Sequence, residues 1–236
     1  MLEMWELRGR DNARFSTFSW RTRMALHHKR LEFEIHPVAV SDKAAVAFSG
    51  QPKVPIIRAD NRIVSDSWAI AVFLEREFPD RPSLFGGPVG EQLTYFFNLW
   101  TDREIVPALV PYLMQDVLDC VDDDDKRHLR TQIEGVFKKS LEDLSAEREK
   151  ALQQLRKRLA PVRKLLGASP FLGGESPAYA DYILFGVFQW ARVVSDTQVL
   201  EQDDAIADWF ARVLDVNGGV GRAERARSER KLEAAQ

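Results

Sequence analysis

One cysteine, Cys120, stands in 236 residues. A single thiol can neither close an internal disulfide nor form a Cys-x-x-Cys redox pair, and this usage fits a reducing compartment, so the expected location is the cytoplasm. No run approaches the roughly 20 apolar residues that cross a bilayer, and no membrane association is expected. The opening MLEMWELRGR has no basic stretch followed by an apolar one, so no signal peptide is apparent. Excess charge is absent as well. Lys and Arg number 33 against 36 Asp and Glu, a net charge of -3 that argues against nucleic acid as a partner. Metal-ligand spacing is also missing: His27 and His28 have no companions, and the acidic run Asp122 to Asp125 matches no calcium loop. No metal is expected, and the acidic run reads as a solvated helix start or loop.

What is present is ample core material, 45% hydrophobic residues, arranged in two differently patterned parts. In the first 80 or so residues strands and helices alternate. Met4 to Leu7 reads as a short strand and Ser19 to Lys29 as a helix; Phe33, Ile35 and Pro37 alternate with polar residues as a half-buried strand does. Residues 41 to 51 form a loop or short helix, 54 to 58 and 62 to 65 a strand pair. A closing helix follows, with Ile70, Phe73, Leu74 and Phe78 on one face. Pro79 to Pro82 and Gly86-Gly87-Pro88 then mark a boundary. Beyond residue 90 only helices are expected. One carries Leu93, Phe96, Phe97, Trp100 and Glu104 and is bent or ended by Pro107 and Pro111. A charged helix spans 145 to 166, an apolar one 178 to 194 and a further one 203 to 214; the tail from Arg222 is expected to fray.

The most informative stretch is residues 53 to 78, KVPIIRADNRIVSDSWAIAVFLEREF. A proline entering a strand belongs at an edge or a special turn, and X-Pro is the bond that can be cis. Asp66 and Ser67 at a helix entrance can cap it or face the ends of a ligand. Together these features suggest a peptide-like ligand held by exposed backbone and a helix N-terminus.

This block, with Pro170 to Gly174 followed by Tyr179-Ala180-Asp181-Tyr182, resembles the glutathione S-transferases over nearly the whole chain. The stretch Phe15 to Arg23 is similar to the serine-type loop of zeta-class enzymes and, more closely, of bacterial lignin β-etherases and related fungal transferases. Phe188 to Ala191 and Asp203-Asp204 lean toward the etherase group. The resemblance implies an α/β thioredoxin-like domain over residues 1–83 and an all-helical domain over 90–236. It also implies glutathione as co-substrate, a hydrophobic, electrophilic, aromatic acceptor, and a homodimer.

By the same resemblance Ser16 matches the catalytic serine, with Thr17 and then Ser19 as rivals. A free thiol titrates at about 8.5, and a hydroxyl donor plus a helix N-terminus can hold it as thiolate. Val54, before the family's cis Pro55, would pair with the cysteinyl backbone. Asp66 would meet the γ-glutamyl ammonium and Ser67 its carboxylate. Lys53, then Gln51 and Lys43, would stand near the glycyl carboxylate, and Phe18, Tyr112 and Trp190 would line the acceptor pocket beside Phe188. Asp181 is expected to cap its helix, weakened by Ala178 where the family usually has Ser or Thr. Two other readings stay open. One is glutathione-dependent cleavage of β-aryl ethers; the other is a non-catalytic scaffold of the same fold. A thiol-disulfide reductase would need a cysteine on the first loop, which has none.

Overall fold

The computed structural model describes residues 1–234. Four strands form one mixed sheet in the order β2-β1-β3-β4. β1 (Leu2–Leu7) lies parallel to β2 (Glu34–Val38) and antiparallel to β3 (Ile56–Ala59), which pairs with β4 (Arg62–Ser65). The parallel pair requires a crossover, supplied by α1 (Thr17–His28). β3 and β4 need only the two-residue turn at Asp60-Asn61, and Asp60 takes the left-handed φ of 53° that such turns demand. α2 (Ser67–Glu77) closes this part. One sheet face, with Met4 and Ile57, enters the main core. The other, with Trp5, Val38 and Ile56, is covered by the short turn Ala44–Ser49.

From Pro88 the structured elements are helical: α3 (Pro88–Trp100), α4 (Val106–Asp119), α5 (Asp123–Phe137), α6 (Leu141–Ala146), α7 (Arg148–Arg158), α8 (Ala160–Leu166), α9 (Tyr179–Val194), α10 (Ala205–Ala223) and α11 (Arg227–Ala234). α9 is buried along almost its whole length and packs beneath α1. The approach is closest at Gly186, where a Cβ would stand 2.3 Å from the Thr17 carbonyl oxygen. Only a glycine permits that distance.

Several expectations change. The stretch 145 to 166 is not one helix: it holds the end of α6, then α7 and α8, which part at Leu159, and Pro161, with no N–H to give, sits in the first turn of α8. Pro107 and Pro111 do not end their helix. A π-helical turn, Thr101–Ile105, precedes them, and Arg158 donates to the Glu104 carbonyl at 2.6 Å. α10 runs past 214 but is interrupted at Val216 to Gly219. The tail does not fray after Arg222. It forms α11, where Arg227 is paired with Asp116 at 3.1 Å and Asp119 at 3.3 Å. Nor is the acidic run solvated throughout, because Asp125 is buried.

Candidate functional site

Strand register gathers the singled-out residues at one end of the sheet. Trp5 faces Ile56, and Ile56 faces Ser65. Val54-Pro55 therefore enters beside the end of β1, and Asp66 leaves β4 beside Pro55. The Val54-Pro55 bond is cis. The Leu7 N–H donates to Ser19 Oγ at 3.5 Å, which brings the first turn of α1 to the same end.

Ser16 is the N-cap of α1, accepting the Ser19 N–H at 3.2 Å. A hydroxyl has two acceptor lone pairs and one hydrogen, so this cap leaves the Ser16 O–H free to donate. Ser16 is half-buried, whereas Thr17 is 5% exposed and faces Gly186. The loop before them is clamped. The Arg10 N–H donates to the Cys120 carbonyl at 2.7 Å, the Arg14 N–H to Glu224 at 3.1 Å, and Trp20 Nε1–H to the Arg14 carbonyl at 2.7 Å. Beneath the loop Glu6 is bonded to Arg23 and lies 3.4 Å from Arg14. Burial pushes the Glu6 and Glu224 carboxyls up, against the pull of these arginines.

Asp66 caps α2, its carboxylate accepting the Trp68 and Ala69 N–H groups, each at 3.0 Å. Its φ of 77° is strained for an L side chain. Ser67 is buried and anchored through its carbonyl, to which the Tyr179 hydroxyl donates at 2.7 Å. Burial pushes the Tyr179 hydroxyl far up its scale, so it stays a donor. Trp68 packs on Tyr95 and Phe85, and Arg21, fully buried, binds Asn98 at 3.0 Å and Asp102 at 2.7 Å. The Tyr179 hydroxyl feels Arg21, Asp66 and Asp102 together. This junction of α1, α2, α3 and α9 was not anticipated. Its sequence signal was weak: polar residues at 98 and 102, one turn apart beside the aromatic run Tyr95-Phe96-Phe97.

Lys53 is exposed, as is Gln51, and Lys43 donates to the Pro52 carbonyl at 3.1 Å. Of the aromatic residues expected around the acceptor, Phe18 is 37% exposed and lies against Arg21. Tyr112, Trp190 and Phe188 are packed in the helical core, with Arg148 over the Tyr112 ring. Apolar rings at helical spacing bury themselves first. A cavity of about 160 Å³ beside the loop is lined instead by Ala13, Cys120, Asp119, Arg10, Arg227 and Arg230, among others. Asp181 accepts N–H groups from Leu172, Gly173 and Ala178 and from the Trp209 indole, at 2.7 to 3.0 Å. Among the described residues one group could hold a metal, Glu3, Glu34 and His36. Arg58 already engages both Glu3 oxygens, at 2.6 and 2.8 Å. His28 is structural, bonded to Tyr182 at 2.7 Å and to the Ser83 carbonyl at 2.9 Å.

Comparison with known proteins bears on the family and the fold. The profile of the glutathione S-transferase N-terminal domain matches residues 15–77, and that of the C-terminal domain matches residues 92–215. The chain is similar to Arabidopsis thaliana glutathione S-transferase U28, with 22% identity over 86% of this chain and 82% of that protein. It is also similar to A. thaliana glutathione S-transferase DHAR2, with 38% identity, but that match spans 28% of this chain and only 32% of the relative's length. Among solved structures it is similar to glutathione transferase GSTFuA2 of Phanerochaete chrysosporium, with a TM-score of 0.74 and 22% identity over 95% of this chain and 98% of that one. A Ceriporiopsis subvermispora glutathione S-transferase, solved in complex with glutathione, has a TM-score of 0.73 and 23% identity over 98% and 97%. With one profile covering more than half of its length and a second covering its α/β part, the chain belongs to the glutathione S-transferase family.

Proposed function

We propose that this protein is a serine-type glutathione transferase: Ser16 donates a hydrogen bond that holds the glutathione sulfur as thiolate, which attacks an electrophilic, aromatic small molecule. The observation that carries this reading is the convergence at one sheet end of the Ser16 cap, the Val54-Pro55 turn and the strained Asp66-Ser67 entrance of α2. Val54 offers its backbone to the cysteinyl unit, as a borrowed strand would. Ser67 and the first turn of α2 receive the γ-glutamyl carboxylate, and Asp66 receives its ammonium. Lys53 meets the glycyl carboxylate. Ser16 is preferred to Thr17 because Thr17 is buried against α9. Phe18, exposed as the second residue of α1, gives an aromatic acceptor a ring to stack on. No metal enters this chemistry.

Ser16→Ala should lower turnover by about tenfold or more, since a hydrogen bond to a charged group is worth about 1.5–3 kcal/mol, with little change in glutathione affinity. Undiminished turnover in that variant, with loss in Thr17→Val, would transfer the role to Thr17. Cleavage of aryl ethers is the narrower alternative and rests on the similarity of residues 15–23 to etherase loops. Turnover of a model β-aryl ether, against aromatic halides and isothiocyanates, separates the two. Absence of glutathione binding at millimolar ligand would favour the scaffold reading.

The same reading includes a homodimer. Val89, Leu93 and Phe96 form one exposed apolar face of α3, and Phe96 is 70% exposed. Such a face on a soluble chain marks an interaction surface. Sedimentation should give a dimer for the unaltered chain and a monomer for Phe96→Glu; a monomeric unaltered chain would remove the dimer from the reading.

A further inference from the structure

The acidic run Asp122 to Asp125 reaches across to the α/β part of the molecule. Asp122 lies 3.0 Å from Arg8 and 3.9 Å from Arg10, at the edge of the Ser16 loop. Asp125 goes further. It is 1% exposed, and its two carboxylate oxygens accept two consecutive backbone N–H groups, that of Val40 at 3.1 Å and that of Ser41 at 2.7 Å. A carboxylate is withdrawn from water at this depth only when its oxygens are satisfied, and paired backbone amides form an anion-binding concavity. A merely solvated helix start would have left Asp125 outside.

The segment so held leads directly to the site. Two residues beyond Ser41 comes Lys43, whose ammonium donates to the Pro52 carbonyl at 3.1 Å. The Ala45 N–H donates to Asp42 at 3.1 Å and turns the chain there. Lys43 therefore bridges from the Asp125 anchor to the residue before Lys53, two before Val54. If Val54 holds the cysteinyl unit, as proposed above, the glycine of the tripeptide continues from this place with its carboxylate toward Lys43 and Lys53. We propose that Asp125 is a positioning residue for the glycyl end of glutathione: through the Val40 and Ser41 amides it fixes the segment that carries Lys43. It touches no substrate itself. The inference rests on the glutathione reading and adds to it a residue of the helical part.

The test compares glutathione with γ-glutamylcysteine, which lacks the glycine, by calorimetric titration of the full chain. Unaltered protein should bind glutathione about tenfold tighter or more, the worth of one or two hydrogen bonds to a charged carboxylate. Asp125→Ala should reduce that preference to about twofold or less, leave γ-glutamylcysteine affinity nearly unchanged, and make a further Lys43→Ala substitution additive by no more than about twofold. Asp125→Asn, isosteric and able to accept one of the two N–H groups, should fall between, and its circular dichroism should match the unaltered chain. A preference preserved in both Asp125 variants, or a parallel loss of affinity for both peptides, overturns the proposal. So does equal binding of the two peptides by the unaltered chain. Binding of neither peptide by the unaltered chain is a different failure, that of the glutathione reading itself.

Discussion

Asp66 holds a φ of 77° while its carboxylate caps two N–H groups of α2. A side chain in that region costs about 1–3 kcal/mol and persists where surrounding contacts impose it. Here they do: β4 pairing ends at Ser65, and the Tyr179 hydroxyl pins the Ser67 carbonyl. The strained residue stands directly between the end of β4 and the start of α2. Ser67→Ala should weaken glutathione binding with little effect on turnover at saturation, which titration and steady-state kinetics would show. Unaltered affinity would leave the backbone alone as the γ-glutamyl receptor. Asp66 and Ser67 were legible because a strand-to-helix junction needs polar residues at that point. Asn98, Asp102 and Arg21 were not, since their partners lie 77 and 81 residues apart. Tyr112 and Trp190 show the converse. Their residue type suits a ligand pocket, but the faces they occupy on α4 and α9 are buried.

At the scale of elements, α9 depends on one carboxylate. Asp181 takes four donors, three from the backbone before the helix and one from Trp209. Burial pushes its carboxyl up, and the donors oppose that shift. The N-cap position itself is Ala178, with extended φ and ψ but no side-chain acceptor. Ala178→Ser should stabilise the protein by about 0.5–1 kcal/mol by giving the first-turn N–H groups of α9 a side-chain acceptor. A higher denaturant midpoint at unchanged slope would show it; a lower midpoint would mean that the neighbouring Gly173 leaves no room. Periodicity marks the more apolar helices, but α5, α6 and α11 were not expected from it, and helix length was not readable either. The π turn at Thr101–Ile105 and the α7–α8 break at Leu159 lie just before Pro107 and Pro161, which are the marks the sequence leaves of them.

Across the whole molecule the α/β and helical parts are joined by polar bridges at several points. His28 spans from α1 to Ser83 and Tyr182, Arg21 of α1 binds Asp102 at 2.7 Å, and the Tyr179 N–H donates to the Leu84 carbonyl at 2.9 Å. Burial holds the His27 and His28 pKa values below the usual imidazole range. An unfolded imidazole titrates at about 6.5, so below that pH the unfolded chain takes up protons first. This contribution to stability is complete above pH ~6.5 and is lost as pH falls toward the lowered folded values. Glu6 and Glu224, shifted up by burial, act in the opposite sense and favour the folded state at lower pH. Replacing both histidines with Gln isolates the first effect. The stability lost between pH 7.5 and 5.5, from urea unfolding, should be larger in the unaltered chain than in the variant. Equal losses would mean that neither ring is neutral in the folded state.

Local chemistry alone determined the order of strands and helices as far as α2, the turn at Asp60-Asn61, the proline entering β3, the capping pair before α2 and the lack of a second thiol. Each depends on residues within a few positions of one another, and period and turn propensity report that range. Only the tertiary structure decided how deep the residues of the first loop lie, because Gly186 lets α9 close on the Thr17 backbone while Ser16 stays half-buried. Only it decided which aromatic residues are core, that the tail returns to brace the Arg14 loop, and that an acidic run holds the segment carrying Lys43. Those outcomes come from burial and from donors meeting acceptors far apart in the chain, which no local pattern encodes.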